Sequence, residues 1–77
     1  MANDLRVLVG RRVRDLRQEL GISQEELAAR ADLHRNYVGS VERGERDIGL
    51  MALSRLAGAL QVSLARFFVP FRQRLQS

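Results

Sequence analysis

Cysteine and tryptophan are missing from this chain of 77 residues, and proline and histidine each occur once. Without cysteine there is no disulfide and no thiolate metal site, and one histidine cannot build a zinc site alone. Lysine is missing as well: all thirteen cationic side chains are arginine, against nine acidic ones, for a net charge of +4. Arginine favours planar, bidentate partners such as phosphate and guanine, although a bias toward GC-rich codons produces the same excess. No apolar run approaches the ~20 residues of a membrane span, and no signal-peptide pattern opens the chain. A cytoplasmic protein without a membrane partner is therefore expected. No glycine loop for phosphates, no carboxylate pair for acid–base work and no triad partner for His34 occurs at a suggestive spacing. Neither an enzyme nor a cofactor or metal is expected.

What is present is enough for one small folded domain, with ordinary hydrophobic content and no long polar tract. Its most informative stretch is GISQEELAARADLHRNYVGSVERG, from Gly21 to Gly44. Ser23 with Glu26 three residues later has the capping-box pattern, and Leu27, Ala28 and Ala31 form one short apolar face. Asp32 falls at the turn, where a residue tolerant of the left-handed region is needed. Leu33 and Val38 bracket the next helix start around His34, and Gly44 stops that helix. Val38 and Val41 point to the core, which leaves Arg35, Asn36, Gly39 and Ser40 on the opposite side.

Helices this short are not stable alone, and that opposite side is unusual for a merely solvated surface. A guanidinium fork pairs with guanine, an amide with adenine, and a bare glycine lets a helix approach closely. The stretch reads as a helix-turn-helix over about residues 23–43 whose second helix enters the major groove. Arg35, Asn36, Gly39 and Ser40 are the expected base-contacting positions.

At these residues the chain resembles the Xre/Cro-like helix-turn-helix regulators. The run GISQEELAARADLHRNYVGSVERGERD carries the resemblance, which extends from about Leu5 to Phe68. Asp32 stands where that family often has glycine, and His34 where Ser, Thr or Asp usually caps. The resemblance implies an all-α, compact five-helix lambda-repressor-like DNA-binding domain, with helices 2 and 3 forming the motif. It implies that Arg17 reaches Glu42 and locks the first and third helices together. It also implies that Gln24 contacts backbone phosphate and props a recognition-helix side chain, though a polar residue at a first helical position is often just tolerated. His34 is expected as a weak cap with a phosphate contact, and Tyr37 as a half-buried ring with its hydroxyl toward a phosphate. Arg43 and Arg46 lie beside the DNA backbone by the same resemblance.

Around the motif, Asn3 can cap a first helix from about Asp4 to Leu20, with Leu5, Val9, Val13, Leu16 and Leu20 as its buried stripe. Arg11 and Arg14 read as a solvated face. A fourth helix spans about Leu50 to Leu60, and Ser63 opens a fifth that ends before Pro70. Three of the four aromatic residues fall within 67–71, more than so small a core is expected to hold. Phe67, Val69 and Phe71 are therefore expected to supply a dimer surface within about residues 60–77.

One recognition helix covers too few base pairs for a genome. The expected function is thus a sequence-specific transcriptional regulator, binding a palindromic operator in double-stranded DNA as a homodimer. With no ligand-sensing domain in view, regulation by protein concentration and cooperative operator filling is expected. Size and motif most resemble the controller proteins of restriction–modification systems. A Cro-like phage repressor, or an antitoxin-type module that binds a toxin and its own promoter, is the alternative. RNA polymerase is a candidate further partner.

Overall fold

The computed structural model describes residues 4–71. The described residues form five α-helices, α1 (Leu5–Leu20), α2 (Gln24–Ala31), α3 (Arg35–Glu42), α4 (Leu50–Ala59) and α5 (Leu64–Phe67), followed by a 3-10 turn at Val69–Phe71. The four-residue α5 is shorter than the sequence suggested, and the chain passes Pro70 in the tighter turn rather than ending before it.

Local chemistry explains most helix boundaries. Asp4 caps α1, its carboxylate accepting from the Arg6 amide at 2.9 Å and from the Arg6 guanidinium at 2.8 Å. These hydrogen bonds from Arg6 hold the Asp4 carboxyl down to about 2. The cap expected at Asn3 lies outside the described residues, and Asp4 fills the role. Ser23 Oγ accepts from the Glu26 amide at 3.0 Å. The reciprocal half of the capping box is not made, because Glu26 turns to Arg30 one turn along, at 2.9 Å. Ser63 caps α5 in the same way, through the Arg66 amide at 3.0 Å.

Left-handed residues end α1 and α2. Gly21 has φ 70°, and Asp32 has φ 57° and ψ 47°. At the second of these, the Leu33 amide bonds back to the Ala28 carbonyl at 2.9 Å. That closes α2 and sets the angle at which α3 leaves.

The core lies where α1, α2, α3 and α4 converge, built from Val9, Val13, Leu16, Leu27, Val38, Val41, Leu53, Leu56 and Leu60. The stripe of α1 is narrower than expected: Leu5 is 47% exposed. Phe67 is wholly buried and Phe71 is 4% exposed, so the α5 end closes the core with its rings. They lie 6.3 Å apart in a stacked arrangement, with Phe68 edge-on to both at 5.1 and 5.3 Å. The expectation that Phe67 and Phe71 face a dimer partner is corrected here, since the core holds more aromatic volume than the helix pattern suggested. Val69, half exposed, is the one of the three still available at the surface.

Two residues not singled out by the sequence pattern fix the packing. A Cβ on Gly10 would stand 2.8 Å from the Glu42 carbonyl oxygen and nearer still to that of Val41. Thus α1 and α3 cross almost backbone to backbone. Arg12 donates to the Phe67 carbonyl at 2.8 Å and to the Arg66 carbonyl at 3.0 Å. It neutralises the carbonyl end of α5 and ties it to α1.

Candidate nucleic-acid interface

The outer face of α3 is held in place from behind. Glu42, its side chain only 3% exposed, accepts from Arg17 Nε at 2.7 Å and Nη2 at 3.0 Å. Arg17 Nη1 also donates to the Ile22 carbonyl at 2.9 Å. The carboxylate raises the Arg17 pKa further, and the pair gains from exclusion of water only because its geometry is bidentate. One buried charge thus joins α1, the turn before α2 and the end of α3.

Glu42 has a third donor, Gln24 Nε2, at 2.9 Å. That bond orients the amide: Oε1 faces the open side of α3, 3.4 Å from where a Cβ on Gly39 would stand. Arg43 sweeps over the same bare position, its Nη1 at 3.1 Å from that point. Gly39 is therefore covered by the tips of two flexible side chains rather than by solid packing.

Around Gly39 lies an open cleft between the start of α2 and the face of α3, lined by Arg17, Ser23, Gln24, Glu25, Arg35, Asn36 and Arg43. Arg35 and Asn36 are exposed at its edge, and the backbone N–H groups that open α2 lie beside it. A guanidinium fork, an amide, and a helix N-terminus that favours phosphate are collected on one side of the molecule.

Ser40 is not on that side. It is 8% exposed, donates to the Tyr37 carbonyl at 2.7 Å and accepts from Arg46 Nε at 3.2 Å. Its expected base contact is corrected accordingly: the position sits on the flank of α3, where Arg46 folds back from the following loop and covers it. The Arg46 guanidinium also lies 5.4 Å from the centre of the Tyr37 ring. Tyr37, Ser40 and Arg46 thus form one cluster beside the cleft, with Tyr37 half buried and Arg46 still exposed. His34 caps α3 through Nδ1, which accepts from the Asn36 amide at 3.0 Å.

Carboxylates accompany the two exposed cleft arginines as well. Arg35 Nη1 lies 3.0 Å from Glu25, and Arg43 Nε lies 3.1 Å from Glu45. Neither pairing was anticipated from the sequence; for Glu25 only its place in the first turn of α2 hinted at proximity. No group of acidic and histidine side chains able to hold a metal occurs among the described residues. No described helix is long and apolar enough to cross a membrane.

Fold and site together define a DNA-binding helix-turn-helix domain. The sequence profile of the helix-turn-helix family matches residues 13–67, and the chain belongs to that family. Within it, the control protein C.BamHI of Bacillus amyloliquefaciens is 41% identical over 63 residues, 80% of this chain and 78% of that protein. The restriction–modification controller protein C.AhdI from Aeromonas hydrophila is 44% identical with a TM-score of 0.79, over 82% of this chain and 91% of that one. The controller C.Esp1396I, solved as a tetramer with its natural 35 base-pair operator, is 29% identical with a TM-score of 0.84, over 95% of this chain and 96% of that one. Over most of its length the chain is thus similar to restriction–modification control proteins.

Proposed function

We propose that this protein regulates the genes of a restriction–modification system by binding a two-fold-symmetric operator as a homodimer, in the cytoplasm and without catalysis. The observation that carries the reading is the likeness over nearly the whole chain to C.Esp1396I, a controller solved as a tetramer on operator DNA. The cleft beside α3 supplies the matching chemistry. Arg35 and Asn36 are its base-reading side chains, with Gly39 buried beneath the movable tips of Gln24 and Arg43, which must swing aside for the close approach its missing side chain allows. Gln24, His34, Tyr37, Arg43 and Arg46 surround them as backbone-positioning groups.

The dimer surface follows from what folding leaves uncovered. The large apolar side chains exposed among the described residues are Leu5, Leu50, Met51 and Val69, at 47, 73, 70 and 50%. Leu50, Met51 and Val69 take the place of the buried rings as the surface that meets a second copy. Residues 72–77 of the expected 60–77 segment lie outside the described residues.

Selection of bound duplexes from a randomised pool tests the reading. The recovered sites should carry two inverted half-sites with centres about 10 base pairs, or one helical turn, apart. Binding without sequence preference, or to single asymmetric half-sites, would refute it.

A further inference from the structure

We propose that Glu25 positions Arg35 and determines its specificity, holding the guanidinium for a guanine edge and against a phosphate. This rests on the reading of Arg35 as a base-contacting residue. Glu25 is the second residue of α2 and Arg35 the first of α3, and their side chains meet at 3.0 Å while 73 and 64% exposed. So exposed a pair contributes little to stability. Its placement is what sets it apart. Among the described residues, Arg6–Asp4, Arg30–Glu26 and Arg43–Glu45 are exposed pairs between chain neighbours, whereas Glu25–Arg35 alone of the exposed pairs bridges two helices. It does so at the edge of the cleft where DNA is to enter.

The donor count lets this pair persist in the complex. A guanidinium has five N–H groups, and Glu25 uses one of them, on Nη1. The others remain to meet the O6 and N7 acceptors of guanine in parallel. Held this way, a long side chain has already lost rotamers that docking would otherwise have to freeze. The sign of the charge adds a second effect. A guanine edge is neutral, whereas a phosphate set against Arg35 would bring a second anion beside Glu25. The carboxylate therefore leaves base recognition intact and weakens the sequence-blind contact that the same arginine would make on any duplex.

Four proteins test this: wild type, Glu25→Gln, Arg35→Ala and the double variant. Each is titrated against a duplex selected by the wild type from a randomised pool and against a scrambled duplex of equal length, across a salt series. Glu25→Gln should lower the ratio of selected to scrambled affinity about tenfold, chiefly by tightening scrambled binding. It should steepen the scrambled salt dependence by roughly 0.9, the mark of one added phosphate contact. In the Arg35→Ala background the same change should leave the ratio unaltered. An equal gain on both duplexes, in both backgrounds, would be a uniform charge effect and would overturn the proposal. If Arg35→Ala lowers the ratio and Glu25→Gln does not, the role of Glu25 falls while base reading by Arg35 stands. If Arg35→Ala leaves the ratio intact, both fall together.

Discussion

Glu42 collects three donors from two other segments, and the placing of α3 depends on that carboxylate staying paired. Removing either charge strands the other in a space that is only 13% exposed on the arginine side and 3% on the glutamate side. Arg17→Ala or Glu42→Ala should each cost about 3 kcal/mol of unfolding free energy. The double variant should lose less than the sum of the two. Denaturant melts of the four proteins check this, and additive losses would show that the pair does not act as a unit. At Arg35 the effect belongs to binding instead. Arg35→Ala should leave the melting temperature nearly unchanged, lower specific affinity by about 1–3 kcal/mol and relax preference at one base pair in each half-site. Competition titrations with single-substitution duplexes measure it, and unchanged selectivity would mean that another side chain reads that position.

Among the elements, α1 and α3 show how little spare room the fold has. Alanine is a better helix former than glycine by about 1 kcal/mol, so Gly10→Ala would stabilise α1 in isolation. In the protein the new methyl group would meet the Val41 and Glu42 carbonyls, which are backbone and cannot swing aside. Gly10→Ala should therefore destabilise by about 2 kcal/mol or more and, by tilting α3, weaken operator binding beyond its effect on the melt. Calorimetry and titration on the same preparation separate the two, and a more stable protein with full binding would contradict the crossing described above.

The same contact marks the limit of what the sequence reveals. Ser23, Ser63, Asp32 and the Val9, Val13, Leu16 stripe were legible because each acts within one or two turns of its own chain. Gly10 was not, because its reason lies more than thirty residues away, and a glycine within a helix carries no mark of what it touches. Arg12 was unread for the same cause: one arginine among several on α1, its carbonyl partners are at the far end of the chain. Ser40 had the right type and nearly the right spacing for the outer face, yet a loop arginine folded over it. Phe67 and Phe71 were misplaced by an assumption about core volume, which helix periodicity does not supply.

At the scale of the whole molecule, the described residues leave their apolar surplus at Leu5, at the start of α4 and at Val69. Met51→Asp is a clean probe there, since an acidic group in the first turn of a helix suits the dipole and α4 has no side-chain cap of its own. The variant should keep its helical circular dichroism, sediment as a monomer and lose most operator affinity, because the second half-site is no longer tethered at high effective concentration. A folded variant that still sediments as a dimer would move the interface away from Met51. Arg12 has a consequence at this scale too, one that amide hydrogen exchange can read. A four-residue helix left to itself would open almost freely and swap its amide protons within moments. Here the Phe67 amide is bonded to the Ser63 carbonyl at 2.9 Å, the Phe67 ring is wholly buried, and Arg12 grips the Arg66 and Phe67 carbonyls. The α5 turn and α1 then belong to one cooperative unit. Protection at Phe67 should match that in the middle of α1 and fall selectively in Arg12→Ala, so that α5 comes loose well before α3 does.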